Sequence, residues 1–224
     1  MSLPWFDARV EKDWVRWHRD YDQPGSSLAR RLKVVQHELD CALSAAQPDG
    51  GELQLISMCA GDGRDVLPVL VARDAPVVRA LLVELDVGLA DRARATAAQL
   101  GLPSVEVVTA DAGCADVYVD VAPAHVVLAC GVFGNISLDD TRRTVAALPS
   151  LLAPGGVVIW TRGRGEDDID PIQRIRELFA ERGYTEVSYA APHDARFRVG
   201  SHRLASPLAD LRPLSNGLRM FTFS

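Results

Sequence analysis

The stretch Leu53-Gln54-Leu55-Ile56-Ser57-Met58-Cys59-Ala60-Gly61-Asp62-Gly63-Arg64-Asp65-Val66 constrains the fold more than any other part of this chain. An apolar run meets a glycine-rich turn, and helix-period hydrophobics (Val66, Leu67, Val69, Leu70) follow, which predicts a buried strand, a tight turn and a helix. Gly61 and Gly63 lack the Cβ that would keep a ligand away from the backbone. The N-terminus of the following helix would present free N–H groups to a carboxylate or phosphate.

The remainder of the chain repeats this rhythm. Apolar runs at 53–58, 78–85, 105–109, 125–130 and 155–161 read as strands, and helical patterns at about 64–73, 87–100, 138–151 and 170–182 separate most of them. Several runs are apolar almost throughout, as in Ala80-Leu81-Leu82-Val83 and Val126-Val127-Leu128-Ala129, which is the pattern of strands covered by helices on both faces. The expected fold is therefore α/β, with a doubly wound, mostly parallel sheet and right-handed crossovers. Toward the C-terminus the helices stop. Residues 185–189, 197–202 and 219–223 read as three strands with no crossover between them, so they must pair antiparallel or leave the sheet.

Residues 1–46 form a separate pattern. Val10, Trp14, Trp17 and Tyr21 place an aromatic stripe on one helix face. Pro24-Gly25 breaks that helix, and Ser27 is placed to cap a second one through Leu28, Leu32, Val35 and Leu39. The expected organisation is an N-terminal helical segment over 1–46, acting as a lid or only as packing, and one compact α/β domain over 47–224.

Composition narrows the function classes. With 24 basic and 30 acidic residues the net charge is −6, and no basic block suits a phosphate backbone, so no nucleic-acid partner is expected. There is no apolar run long enough to span a membrane and no secretory leader pattern, so membrane association is not expected either. Cys41, Cys59, Cys114 and Cys130 have no metal-ligand spacing, so no metal site is expected. Free thiols fit a reducing, cytoplasmic setting.

The chemistry-bearing residues cluster at predicted strand ends. Glu84 and Asp86 close the second strand roughly 20 residues past the glycine turn, where α/β nucleotide folds place a carboxylate for ribose hydroxyls. Asp86 also suits a helix N-cap, whereas Glu84 on a buried strand needs partners to offset its desolvation. Asp111 after the third strand is placed to accept the amino group of an adenine, and reads equally well as a loop cap. The fourth strand runs into Cys130-Gly131-Val132-Phe133-Gly134-Asn135-Ile136, a loop suited to close packing on a ligand.

Over roughly residues 50–205, these features resemble the class I S-adenosylmethionine-dependent methyltransferases. The resemblance rests on the turn Cys59-Ala60-Gly61-Asp62-Gly63-Arg64, on Glu84-Leu85-Asp86 with its following helix, on Asp111-Ala112, and on Leu152-Ala153-Pro154-Gly155-Gly156-Val157. It implies a seven-stranded sheet closed by an antiparallel C-terminal hairpin strand. It implies S-adenosylmethionine as cofactor, leaving as S-adenosylhomocysteine, with contacts from Cys59, Ala60, Gly61, Asp62 and Gly63. Further contacts are implied from Glu84 and Leu85, from Asp111 and Ala112, and from Cys130 and Gly131. The sequence departs from the family at Ser57 and Cys59, where an acid and a further glycine are usual, and at His125, where an aspartate is common. Without the acid at Ser57, recognition of the methionine amino group is expected to fall on backbone carbonyls.

Methyl transfer depends mainly on holding a nucleophile in line with the methyl carbon, so an obvious general base is not required. His18, Tyr21 and Asn135 are the candidate catalytic residues, with His202 a further candidate hydrogen-bonding group. Trp14, Trp17, His18 and Tyr21 would cover a small-molecule acceptor next to the Gly131–Ile136 loop. Arg162 and Arg164 after the fifth strand read either as holders of a substrate carboxylate or, with Glu166-Asp167-Asp168, as a solvated loop. The assembly is expected to be a monomer or homodimer. Two rivals stand beside this reading. A non-catalytic S-adenosylmethionine- or nucleoside-binding module needs the same contacts. An NAD(P)-dependent oxidoreductase needs G-x-G-x-x-G, and Val66 occupies the third glycine position.

Overall fold

The computed structural model describes residues 19–46, 51–73, 77–164, 171–205 and 217–223. Val10, Trp14, Trp17, His18 and the Glu166-Asp167-Asp168 run lie outside them.

Seven strands form one sheet: β1 (Glu52–Met58), β2 (Val77–Glu84), β3 (Val105–Thr109), β4 (Ala124–Ala129), β5 (Leu152–Gly163), β6 (Tyr184–Ala190) and β7 (Phe197–Leu204), in the order β3-β2-β1-β4-β5-β7-β6. The first five run parallel, and β7 is antiparallel to both β5 and β6. The expected α/β class, doubly wound sheet and antiparallel C-terminal strand are all present.

The unbroken apolar runs follow from two-sided burial. Leu53, Leu55, Ala80, Leu82, Val126, Leu128, Val157 and Ile159 belong to one buried cluster, with residues of α1 (Ser27–Ala45), α2 (Leu67–Val71) and α3 (Val87–Gln99). The alternate positions Ile56, Met58, Leu81, Val83, Val127, Ala129, Val158 and Trp160 belong to the other, with α4 (Leu138–Ala147) and α5 (Pro171–Glu181). Successive side chains point to opposite faces, so both registers of each strand must be apolar.

Several elements differ from the sequence expectation. The helix after the glycine turn is only five residues long, because residues 64–66 form turns and Pro68 sits in its first turn. The pattern over 138–151 divides at Leu148, where Pro149 shifts the chain into a 3-10 turn through Leu151. Ser26, not Ser27, caps α1 by accepting Ala29 N–H at 3.0 Å. Pro154-Gly155-Gly156 lies inside β5 as an irregularity: Leu152 pairs with Ala124, and pairing resumes only at Val157 with Val126. Residues 219–223 are not a strand. They make two isolated bridges, Cys114 with Arg219 and Ile136 with Phe223, which keep this segment against the ends of other elements.

His125 accepts the Gln54 N–H through Nδ1 at 2.9 Å, tying β4 to β1.

Candidate functional site

The carboxyl ends of β1, β2, β3 and β4 open into one cavity of about 520 Å³, within the range of ligand pockets. It lies where the strand order reverses between β1 and β4, the place where open parallel sheets bind ligands.

The glycine turn forms the floor. Met58 ends β1, and Cys59 follows with φ +53°, the left-handed conformation that glycine adopts without cost. Gly61 and Gly63 also have positive φ, at 59° and 79°. The position where the resembling family usually has glycine is therefore one whose backbone asks for glycine, and Cys59 holds it under strain. Cys59, Ala60 and Gly61 line the cavity. Asp62 and Gly63 do not. Asp62 accepts Arg64 Nε at 2.8 Å, and a Cβ on Gly63 would stand 2.7 Å from Leu67 Cδ1, so Gly63 serves helix packing.

Glu84 ties the second strand to this turn. Its Oε2 accepts Gly61 N–H at 2.7 Å and its Oε1 accepts Asp86 N–H at 2.8 Å, while the side chain faces the cavity and is nearly buried. These two charge-assisted bonds answer the question of how a strand-end carboxylate survives burial. Asp86 also borders the cavity, but its Oδ1 caps α3 by accepting Leu89 N–H at 2.8 Å. Leu85, 65% exposed, adds an apolar wall.

Asp111 and Ala112 close the β3 side. Asp111 Oδ1 accepts Gly113 N–H at 2.8 Å and Oδ2 pairs with Arg219. On the β4 side, Cys130 and Gly131 line the cavity. Gly131, at φ +75°, donates its N–H to Thr161 Oγ1 at 2.8 Å. Both thiols facing the cavity are held protonated. Burial raises the pKa of Cys59 well above the usual thiol range, with Glu84 and Asp111 adding to the shift. Burial does the same to Cys130, beside Asp65. Neither is a nucleophile at neutral pH.

Of the candidate catalytic residues, Tyr21 lines the cavity, nearly buried in a 3-10 turn at Arg19–Asp22. Arg31 Nη2 donates to its hydroxyl, and the Arg64 guanidinium lies 4.7 Å from its ring centroid. Asn135 lies outside the cavity lining and donates from Nδ2 to Gly131 O at 2.6 Å, bracing the loop. His202, named as a further candidate hydrogen-bonding group, is not among the residues lining the cavity. It is buried in the core, stacked on Phe179 at 4.4 Å with Nδ1 accepting Trp160 Nε1–H at 3.1 Å. Arg162 donates to the Phe133 carbonyl and holds the β4 loop to β5.

Three parts of the site escaped sequence reasoning. Arg31, buried on α1, lines the cavity, as does Asp65 of the glycine stretch. Both bear on the Cys130 thiol with opposite sign, so a cation and an anion stand together at the β4 end. The third is the C-terminal segment, which contributes Phe221, Thr222 and Phe223. Arg31 lies on a helix preceding the first strand, and nothing in its local pattern sets it apart. Asp65 directly follows the glycine motif, and that adjacency was the one available signal.

Among the described residues no group of three or more histidine, cysteine or acidic side chains is placed to hold a metal ion, and no helix is long and apolar enough to cross a membrane.

No protein-family model matches the sequence, and no curated protein is significantly similar to it. Solved structures are. A magnesium protoporphyrin IX methyltransferase from Synechocystis PCC 6803, solved with bound S-adenosylmethionine, superposes with a TM-score of 0.63 at 14% identity, over 86% of this chain and 91% of its own. An O-methyltransferase family protein from Burkholderia thailandensis gives 0.63 at 17% identity over 80% of this chain. The CMeT domain of the citrinin polyketide synthase gives 0.64 at 17% identity over 89%. This chain spans 56% and 59% of the length of those last two proteins. With its strand order, its antiparallel β7 and its cavity at the β1–β4 crossover, the chain has the fold of the class I S-adenosylmethionine-dependent methyltransferases.

Proposed function

We propose that this chain binds S-adenosylmethionine in the cavity at the strand ends and transfers its methyl group to a small-molecule acceptor. The observation that carries this reading is the charge and topology of the cavity wall. Four acids line it, Asp65, Glu84, Asp86 and Asp111, against two arginines, Arg31 and Arg64. Such a wall suits a ligand bearing a sulfonium and an ammonium, and it repels a pyrophosphate. The five-residue α2 also lacks the length of the helix on which dinucleotide folds rest the pyrophosphate. Both points weigh against the oxidoreductase alternative.

The residues present fit the ligand end by end. Sheet order separates the β3 end from the β4 end by two strands, β2 and β1. Asp111 on the β3 side would take the adenine amino group, and Glu84, between them, the ribose hydroxyls. At the β4 end Arg31 would hold the methionine carboxylate and Asp65 the ammonium. On this reading Asp65 would supply the acid that is missing at Ser57, alongside the backbone carbonyls expected from sequence. Bound there, S-adenosylmethionine would supply an electrophilic methyl on sulfur, lost to an acceptor attacking in line.

The chain's own contribution is orientation and exclusion of water. Tyr21, clamped by Arg31 and Arg64, covers the turn, and the loop from Gly131 is fixed by Asn135, Thr161 and Arg162. With both cavity thiols protonated, neither serves as a base, and an amine or another nucleophile needing no strong base suits the site. Titration calorimetry with S-adenosylhomocysteine and with NAD tests the reading. Binding of the first and not the second is expected, and binding of NAD alone would overturn it. Binding of S-adenosylmethionine without turnover on any acceptor would favour the non-catalytic module.

A further inference from the structure

The C-terminal residues Gly217–Phe223 run along the cavity from the loop after β3 to the loop after β4, where Thr222 N–H donates to Asp140 Oδ2 at 3.5 Å and Phe223 bridges Ile136. Ala115 N–H donates to Leu218 O at 2.9 Å, Met220 N–H to Gly113 O at 2.8 Å, and Gly217 N–H to Asp116 Oδ1 at 2.8 Å. Met220 and Phe221 are buried in the core. The approach is so close that a Cβ on Gly113 would stand 2.2 Å from the Phe221 carbonyl oxygen. Glycine at 113 is thus a docking position for the C-terminus.

This segment carries its side chains to the ligand. Phe221, Thr222 and Phe223 line the cavity, and the two phenylalanine rings stack with centroids 5.8 Å apart. Phe223 is 41% exposed and Leu85, on the same cavity, 65%. Two large apolar side chains left to solvent at the mouth of a pocket mark a surface that a flat apolar group would cover. Arg219 pairs with one oxygen of Asp111 while Gly113 N–H takes the other. With Arg219 and the Gly113 N–H both donating to it, the Asp111 side chain presents acceptor positions to the cavity, which match a base edge that donates.

We propose that Gly217–Phe223 is a strap that forms the base-binding wall of the nucleoside site, with Phe223 covering the purine and Arg219 positioning Asp111 for the exocyclic amino group. This rests on the S-adenosylmethionine reading and adds to it. The C-terminus decides which base is accepted, and base binding and strap docking stabilise each other.

The test uses the full chain with S-adenosylhomocysteine, adenosine and S-inosylhomocysteine as probes. Phe223→Ala and Arg219→Ala should each weaken S-adenosylhomocysteine and adenosine by the same factor, about tenfold, the scale of one lost base–aromatic stack or charged contact. Arg219→Ala should also narrow the preference for the adenosyl over the inosyl ligand, and Arg219→Lys should restore part of it. Melting temperatures should move little, because Phe223, at the cavity mouth, is 41% exposed and the Arg219 side chain 48%. In the wild type, S-adenosylhomocysteine should slow amide exchange at Met220 and Ala115. The proposal is overturned if the wild type binds S-adenosylhomocysteine while those amides exchange unchanged and both variants keep wild-type affinity. It is also overturned if the variants weaken S-adenosylhomocysteine but not adenosine, since the strap would then lie away from the base. A wild type that binds none of the three probes removes the parent reading, and the strap's role with it.

Discussion

Glu84 carries two backbone amides from two different segments, Gly61 in the turn and Asp86 before α3. Glu84→Gln replaces one accepting oxygen by a donor, so one buried N–H loses its partner. A loss of about 1–3 kcal/mol in urea denaturation is expected, together with weaker S-adenosylhomocysteine binding by calorimetry. Cys59 tests the strain in the turn. A residue at φ +53° other than glycine costs about 1–2 kcal/mol. Cys59→Gly should therefore hold stability close to wild type despite the lost side chain, whereas Cys59→Val, β-branched in the left-handed region, should lower the urea midpoint. His202 sets a pH dependence. Burial pushes its pKa from 6.5 down to about 4, with Arg176 adding and Glu186 opposing. Between those values the unfolded chain binds the proton and the folded chain does not, so stability falls as pH drops from 6.5 toward 4. Urea midpoints measured at pH 7.5, 6 and 4.5 should decline, and the slope should be shallower in His202→Phe.

At the scale of elements, the antiparallel β7 pairs with β5 and β6 along its length and meets β5 most closely at one position. Gly200 lies opposite Trp160 in the β5–β7 register, and a Cβ there would stand 2.4 Å from the indole ring. The ring also stacks on Phe179 at 6.3 Å and donates to His202. Gly200→Ala must displace a fully buried indole, and the expected cost is about 1–3 kcal/mol from overpacking, read as a lower melting temperature. The short α2 is equally informative. Its reduced length follows from the turns at residues 64–66 and from Pro68, and Gln36 of α1 supports the turn by donating to Arg64 O at 2.8 Å. The turn is held from α1, from β2 through Glu84, and from Tyr21 through Arg64, so the long helix that the periodicity implies is not needed to fix it.

At the scale of the molecule, the cavity draws on the N-terminal turn, α1, four strand ends and the C-terminal segment. A ligand that joins parts so distant in sequence should stabilise the whole. S-adenosylhomocysteine at about 100 times its dissociation constant contributes about 2.7 kcal/mol, which for a chain of this size raises the melting temperature by about 5–10 °C. NAD at the same concentration should leave it unchanged. A shift with NAD and none with S-adenosylhomocysteine would reverse the assignment.

Local chemistry was enough to read the strand–turn–helix opening, the two-sided apolar strands, the capping role of Asp86 and the acids at the ends of β2 and β3. These follow from periodicity, from glycine's backbone freedom and from the desolvation cost of a buried carboxylate, all of which act within a few residues. The placement of Arg31 and Asp65 beside Cys130, the burial of His202 in the core and the course of residues 217–223 from the loop after β3 to the loop after β4 depend on distant partners. A histidine is a candidate ligand or a core residue according to what packs on it, and Phe179 and Trp160 made that choice here. A C-terminal apolar run is a strand or a cavity wall according to whether a neighbour offers a free edge or a glycine, and Gly113 offered the glycine.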